Sequence, residues 1–185
     1  MCKCNKTYRD DKLHHECGVL GIYGVDDAAG LAYYGLHALQ HRGQQGCGIV
    51  TVGPTGEFHR VKGDGLVNEV FNEQKMNKLP GRMAIGHVRY SNAGCKGTEN
   101  IQPFLFHHNS GDFAMANNGQ IVNYRQLRDE LEDKGSLFQS SSDAEILAHL
   151  IKKQGVDKEL PRIHALKDAL NMLDGAFSFV VMTGR

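Results

Sequence analysis

Three places in this 185-residue sequence combine a side chain capable of chemistry with an unusual backbone signal. Cys17 opens the apolar, β-branched segment CGVLGIY, and a thiol there is either a nucleophile or a small buried hydrophobe. Arg89 lies in the strand-like segment MAIGHVRY, where a guanidinium among mainly apolar residues needs an anionic partner. Asn118 and Gly119 follow the strand candidate FAMA and precede a helix, so they mark either a functional site or a simple Asn-Gly turn.

Short strands and helices must position these residues. Alternating or β-branched apolar residues predict strands over 17–23, 48–52, 57–62, 83–90, 113–116 and 175–182. The turn residues 53–56 make the second and third of these a hairpin, and Gly43, Gly46 and Gly48 favour irregular backbone. Helical spacing predicts a helix over 26–40 and two more near the carboxyl end. Strands in runs and helices in runs, without strict alternation, indicate an α+β fold in one globular unit.

The helix predictions rest on capping residues and apolar faces. Asn123 is predicted to cap a helix that ends at Gly135, and the box Ser142 to Glu145 is predicted to open the next helix. The first helix and the last helix each show four apolar residues at helical spacing. These are Leu31, Tyr34, Leu36 and Leu39 in the first, and Ile163, Leu166, Leu170 and Leu173 in the last.

Composition excludes several classes of function. Lysine and arginine total 21, as do aspartate and glutamate, so no charge excess favours nucleic acid or anionic lipid. No apolar run is long enough to span a bilayer, and residues 1–16 lack a signal-peptide core. The odd set of five cysteines (Cys2, Cys4, Cys17, Cys47 and Cys95) does not form a secreted disulfide framework, which indicates the cytoplasm.

Four blocks in a fixed order carry a family resemblance. They are CGVLGIYG at 17–24, LQHRGQQ at 39–45, GHVRYSNAG at 86–94 and NNGQIVN at 117–123, followed by SSDAE at 141–145. Together they resemble the class II glutamine amidotransferase domain, an N-terminal-nucleophile hydrolase. Within that class, LQHRGQ and HVRYS are similar to the amidophosphoribosyltransferases, which open purine synthesis.

The resemblance implies a four-layer αββα sandwich of two antiparallel sheets flanked by helices. It implies a leader or propeptide at residues 1–16 and a glutaminase domain at residues 17–185, truncated at its carboxyl end. The phosphoribosyltransferase domain of full-length relatives is expected to be absent, because nothing in the sequence resembles its pyrophosphate-binding loop.

The resemblance also implies a role for each site residue. Cys17 attacks the side-chain amide of glutamine, and its own α-amine, with an unperturbed pKa of roughly 7.7 to 8.0, acts as the base once the leader is removed. Asn118 and Gly119 are expected to stabilise the oxyanion. Arg89 is expected to bind the α-carboxylate of glutamine and Asp143 its α-ammonium, although Asp143 could instead be a helix cap.

The remaining site residues have less defined parts. Arg42 is expected to shape the pocket beside the nucleophile, and Tyr90 flanks the substrate. His87 is interpreted as a core histidine rather than a catalyst. The sequence departs from the family pattern at Asn92, where a threonine is usual, and over 45–47 in the HRGQ loop.

The expected partners are glutamine and the missing domain, with a homo-oligomer in the full-length protein. No metal and no cofactor are expected in this domain; the resemblance places magnesium and an iron–sulfur cluster in or near the missing domain of full-length relatives. Three alternatives remain open. The segments Cys2-Lys3-Cys4 and His14-His15-Glu16-Cys17 could bind zinc. The chain could instead be an inactive fragment or a regulatory or docking relative of the amidotransferases, or the glutaminase domain of another class II amidotransferase.

Overall fold

A computed structural model describes residues 17–90, 97–109, 111–157 and 162–184 of the chain. Within these ranges the strands are β1 (Gly18–Tyr23), β2 (Gly46–Val52), β3 (Phe58–Asp64), β4 (Met83–Arg89), β5 (Phe104–Phe106), β6 (Phe113–Ile121) and β7 (Gly175–Thr183). The helices are α1 (Ala28–Ala38), α2 (Val67–Val70), α3 (Glu73–Met76), α4 (Tyr124–Glu132), α5 (Glu145–Asp157) and α6 (Arg162–Leu170). No helix in the described ranges has the length and apolar character needed to cross a membrane.

The strands form two sheets. One has the order β1-β4-β2-β3 with every pairing antiparallel, and the other has the order β5-β6-β7. The chain divides into two compact units, one from residues up to Ala116 together with Val180 onward, and one from Asn117 to Phe179.

The first unit has an apolar core on each face of the four-stranded sheet. Helix α1 covers one face with Ala28, Ala32 and Leu36, which pack with Ile49 and Val88. On the other face, a second cluster joins residues of this sheet to residues of the second sheet. Its buried members are Val50, Val52, Ile85, Ala114, Ala116 and Met182. The unit is therefore a helix layer and two sheet layers, as the α+β prediction requires.

The second unit holds the helices α4, α5 and α6. They are held by small and branched apolar residues, and α5 packs against both α4 and α6. The fully or nearly buried residues are Leu127, Leu131, Ile146, Leu147, Leu150, Ala165 and Ala169. This unit also contains the carboxyl end of β6 and the amino end of β7.

Two predicted apolar faces are only partly correct. In α1, Leu36 is buried as predicted, but Leu31 and Tyr34 are 48% and 70% exposed and the other buried residues are alanines. At the last helix, the predicted Leu173 is buried just beyond α6, but Ile163 is exposed, and Ala165 and Ala169 are buried within the helix. Small residues carry much of the packing of both helices, and a pattern of large apolar side chains does not reveal them.

The predicted buried strand at 17–23 is also only partly correct. Strand β1 exists, but it lies at the edge of its sheet, and Tyr23 at its end is 84% exposed. The glycine-rich segment differs as well, because Gly46 and Gly48 lie inside β2 rather than in irregular backbone. The sequence does not predict helices α2 and α3 or strand β5, because each is only three or four residues long and too short for periodicity to show.

Candidate functional site

Cys17 and Arg89 lie side by side at one end of the four-stranded sheet. Gly18 pairs with Val88, so the preceding residue Cys17 comes level with Arg89, the last residue of β4. Met83 and Ile85, which alternate along β4 onto the same side as Arg89, pack in the core between the sheets. The end of this face thus carries a thiol and a guanidinium beyond the apolar residues Met83 and Ile85.

The thiol of Cys17 contacts the backbone of Tyr90. The Tyr90 N–H donates to Sγ at 3.3 Å, and Sγ lies 3.5 Å from the Tyr90 carbonyl oxygen. Arg42 also contacts Cys17, since its Nε donates to the Cys17 carbonyl oxygen at 3.3 Å. The structure therefore brings Cys17, Arg42, Arg89 and Tyr90 together in the first unit.

Local sequence explains why Arg42 reaches this point. Helix α1 ends at Ala38, and a 3₁₀ turn over Gln40–Arg42 carries the chain towards β4. Gly43 then lies against the Arg89 backbone, where a Cβ would come 2.7 Å from the Arg89 carbonyl carbon. The Gln45 N–H donates to the Arg89 carbonyl oxygen at 3.1 Å. Glycine at position 43 is thus a condition for the HRG segment to pack beside Arg89.

Arg89 itself is oriented by backbone. Its Nη1 donates to the carbonyl oxygen of Gly97 at 3.4 Å. His87, two residues earlier, is fully buried, which agrees with its interpretation as a core histidine. Asn92 and Cys95 lie outside the described residues.

In the second unit, the Asn117–Gly119 segment is not a strand break. Strand β6 continues through it to Ile121, so the predicted turn is wrong. Gly119 has φ +135°, and a Cβ there would lie 2.6 Å from Phe177 Cα on β7. The close approach of β7 requires glycine at this position, and the strand keeps its pairing through an unusual backbone angle.

Continuation of the strand separates the two asparagines. Successive residues of a strand point to opposite faces, and Asn117 is 3% exposed while Asn118 is half-buried. The Oδ1 atom of Asn118 is buried and has no hydrogen-bond partner among the described residues. A buried amide oxygen without a partner costs stability, so its presence calls for an explanation in function.

Asp143 is anchored to the same strand as Asn118. One of its carboxylate oxygens, Oδ2, accepts a hydrogen bond from the Ile121 N–H at 2.8 Å. Burial raises the pKa of the Asp143 carboxyl, and the backbone hydrogen bonds from Ile121 and Ala144 oppose this rise. A carboxylate in such a place is stabilised by a cationic ligand.

The segment before Asp143 is organised by Glu145, which the sequence predicts as part of a capping box. Instead of reaching back to Ser142, the buried Glu145 carboxylate accepts hydrogen bonds from the N–H groups of Gln139 and Ser140 at 2.9 and 2.8 Å. Asn123 is the N-cap residue of α4, as predicted, but its side chain makes no capping hydrogen bond. Its side chain binds the turn before β7, donating to the Met172 carbonyl oxygen and accepting from the Asp174 N–H.

The sequence alone does not identify Ile121, Glu145 or the glycines of β2 as supports of the site. Of these, only the glycines are conspicuous in the sequence, as part of the segment GQQGCG. That segment predicts irregular backbone rather than a strand. In the described part of the chain, no group of three or more His, Cys, Asp or Glu side chains is placed to hold a metal ion. The leader residues of the alternative zinc site lie outside the described ranges.

Comparison with known proteins places this chain in a family. The profile of a family described as "Glutamine amidotransferase domain" matches residues 87–185. The chain is 48% identical over 172 residues to an amidophosphoribosyltransferase of Lacticaseibacillus casei, which is 92% of this chain and 87% of that protein. It is 51% identical to the amidophosphoribosyltransferase of Bacillus subtilis, covering 92% of this chain and 35% of the relative.

A solved structure agrees with the sequence relatives. Glutamine phosphoribosylpyrophosphate amidotransferase from B. subtilis, complexed with ADP and GMP, matches with a TM-score of 0.82 and 48% identity over 90% of this chain and 35% of that chain. The predicted fold class, with two antiparallel sheets and flanking helices, is confirmed. The chain spans about a third of the length of the first curated relatives that it matches. This chain belongs to the amidophosphoribosyltransferase family and corresponds to the glutamine amidotransferase part of its members.

Proposed function

We propose that this chain hydrolyses glutamine to glutamate and ammonia, with the Cys17 thiol as nucleophile. The observation that carries the proposal is the position of Cys17 Sγ, 3.3 Å from the Tyr90 N–H and level with Arg89. A backbone N–H donor favours the thiolate over the thiol, and an arginine beside it provides the charge that a free amino acid's carboxylate requires.

The base is the α-amine of Cys17, which is available only after residues 1–16 are removed. The amine takes the thiol proton, and sulfur then bonds to the side-chain amide carbon of glutamine. Negative charge forms on the amide oxygen and is stabilised by the Asn118 side chain and the Gly119 N–H. The carbon–nitrogen bond breaks as the amine returns its proton to the leaving ammonia. Water then hydrolyses the thioester to glutamate and the free thiol.

Substrate selection depends on the two ends of the amino acid. Arg89 binds the α-carboxylate through a forked pair of hydrogen bonds, and Asp143 binds the α-ammonium. The raised pKa of Asp143 supports this role, because an ammonium ligand compensates for the burial of its carboxylate. Arg42 holds the Cys17 carbonyl oxygen, and Tyr90 supplies the backbone that contacts Sγ.

In the wider reaction, the ammonia forms phosphoribosylamine at the start of purine synthesis. This part of the proposal is supported by the name of the B. subtilis relative, a glutamine phosphoribosylpyrophosphate amidotransferase. In this proposal, ammonia is consumed in a phosphoribosyltransferase domain, with phosphoribosyl pyrophosphate as the acceptor. A homo-oligomer and a cytoplasmic location complete the proposal.

Intact mass together with glutaminase rate tests the proposed base. Protein that begins at Cys17 is expected to release glutamate from glutamine, and protein that retains Glu16 is not, because an amine within a peptide bond cannot accept the thiol proton. Rapid glutamate release by protein whose mass includes residues 1–16 would contradict the proposed base.

A further inference from the structure

The face of the four-stranded sheet that carries Arg89 also carries charged groups that the proposed mechanism does not use. Across the strands, Lys62 pairs with Gly48, and Gly48 pairs with His87. One row further along, Asp64 pairs with Gly46, and Gly46 pairs with Arg89. Residues paired directly across a sheet share a face, so Lys62 lies on the same face as Arg89, with only glycines on the strand between them.

The two glycines leave room for a segment of backbone to lie on β2. A Cβ at Gly46 would come 2.7 Å from Ile101 Cδ1, and a Cβ at Gly48 would collide with the carbonyl oxygen of Gln102. Ile101 and Gln102 therefore lie directly on the strand. They follow a 3₁₀ turn over Thr98–Asn100.

Cations hold this segment at both ends. The Lys62 ammonium donates to the Ile101 carbonyl oxygen at 2.9 Å. At the other end, Arg89 Nη1 donates to the Gly97 carbonyl oxygen at 3.4 Å. Residues 97–101 thus link the Lys62 ammonium to the Arg89 guanidinium through two hydrogen bonds to backbone carbonyls.

We propose that Lys62 is a positioning residue for substrate binding: by fixing residues 97–101 on the glycines of β2, it orients Arg89 for the α-carboxylate of glutamine. The inference rests on the proposed glutaminase function and adds a residue to it. Lys62 does not touch the substrate. Its effect reaches the carboxylate only through the Gly97 carbonyl and Arg89.

The charges around Lys62 give the inference a pH signature. Burial above all lowers the pKa of the Lys62 ammonium to about 8; the cations Arg60 and Arg89 act in the same direction, while the carboxylates of Glu99 and Asp64 oppose them. His87, which pairs with Gly48 on the side opposite to Lys62, is a further titratable group on this face. The ammonium is present below about pH 8 and is lost above it, so the hold on Ile101 weakens as pH rises through this value.

The test is the glutaminase KM and kcat of Lys62→Gln, Lys62→Arg and Lys75→Gln, each in the chain that begins at Cys17 after removal of residues 1–16. Lys62→Gln is expected to raise the KM for glutamine about tenfold and to leave kcat within about twofold, because preorganisation of a binding group affects ground and transition states alike. Lys62→Arg keeps a charged donor and is expected to restore most of the affinity. Lys75 is the matched control, since its Nζ donates to the Val70 carbonyl oxygen at 2.7 Å without any link to Arg89.

Two results would overturn the inference. The first is a KM for glutamine that is the same in Lys62→Gln as in an active wild type. The second result comes from pH dependence, which serves as the test if Lys62→Gln fails to fold. The wild-type KM is expected to rise between about pH 7.5 and 9. Lys62→Arg, which stays charged, is expected to show a smaller rise in KM. An identical rise in both proteins contradicts the role of Lys62. A wild type that releases no glutamate at any pH would instead overturn the proposed function, and this inference with it.

Discussion

The Tyr90 N–H donates to Cys17 Sγ at 3.3 Å, although the two residues are 73 positions apart in the sequence. Tyr90 follows Arg89 directly, so the backbone that contacts the thiol also carries the arginine proposed to bind the substrate. The backbone contact of the nucleophile and the proposed substrate-binding group therefore lie on consecutive residues at the end of β4. A shift at the end of this strand would change the contacts of both.

Kinetics should separate the roles of Arg89 and Asn118. Arg89→Ala is expected mainly to raise the KM for glutamine, because the carboxylate contact exists in both the ground state and the transition state. Asn118→Ala is expected mainly to lower kcat, by about 10²- to 10³-fold, which is the usual loss for one oxyanion donor. Steady-state glutamate release measures both parameters. A kcat effect in Arg89→Ala with a KM effect in Asn118→Ala would mean that the roles are exchanged.

Gly119→Ala should destabilise the chain strongly. Gly119 has φ +135°, and the new Cβ would lie 2.6 Å from Phe177 Cα, which is backbone and cannot move aside. We expect a loss of roughly 3 kcal/mol in the free energy of unfolding. Gly135→Ala is the control, because Gly135 also has a positive φ (+88°) but a Cβ there would meet no atom within 4 Å; it should cost about 1 kcal/mol. Equal losses in denaturant unfolding would contradict the role of close packing at Gly119.

Asp143→Asn is expected to stabilise the chain while weakening glutamine binding. The pKa of Asp143 is raised by burial, so its carboxyl favours folding most when protonated, and this contribution is lost as pH rises through the folded-state pKa. The asparagine variant avoids that loss, and its side-chain oxygen can still accept from the Ile121 N–H. Its gain in melting temperature should therefore grow above about pH 4, while the KM for glutamine rises.

The exposed Asp129→Asn is the control for this trade-off and should change neither quantity appreciably. A variant at Asp143 that loses stability at neutral pH would show that the carboxylate acts as a structural cap. An unchanged KM would remove Asp143 from the substrate site.

Glu145 should make the free energy of unfolding depend on pH in the acid range. Burial of Glu145 raises its pKa, but the His149 ring 3.6 Å away and hydrogen bonds from Gln139 and Ser140 outweigh burial and lower the pKa to about 2, from 4.5. The folded-state pKa is below the unfolded value, so the stabilisation is complete above about pH 4.5 and disappears as pH falls towards about 2. We expect about 2 kcal/mol of acid-dependent unfolding free energy from this group in the wild type.

Glu145→Gln should lose most of that dependence in acid unfolding followed by circular dichroism. Glu132→Gln is the matched control, since the Glu132 carboxylate is exposed and pairs with Arg128 one helical turn away, so it should contribute less than about 0.5 kcal/mol. If both variants unfold over the same pH range as the wild type, Glu145 does not organise the segment before Asp143.

Much of the fold is predictable because local patterns and tertiary structure agree. Strands β1 to β4 and β7 follow from β-branched runs, and the hairpin of β2 and β3 follows from its turn residues. The family blocks also indicate which residues meet around Cys17. The roles of the individual site residues stay predictions, because position alone does not establish a chemical role.

The errors arise where a distant partner decides the local structure. Asn117-Asn118-Gly119 has the composition of a turn, but pairing with β7 holds it as a strand, and Gly119 absorbs the strain. Asn123 stands at a helix start, yet its side chain bonds to residues about 50 positions away. No window of sequence contains those partners. The same limit explains why the sequence does not single out Lys62, whose acceptor is 39 positions away.

The most direct measurement of the central claim is site-specific labelling by a glutamine-analogue electrophile, followed by peptide mass spectrometry and a parallel assay of glutamate release. The label is expected on Cys17, and Cys17→Ala is expected to lose both labelling and hydrolysis. Cys47 is the internal control, because it is fully buried and burial raises the pKa of its thiol to about 12, so Cys47→Ala should keep both. Glutamate release by Cys17→Ala at the wild-type rate would contradict the assignment of Cys17 as the nucleophile.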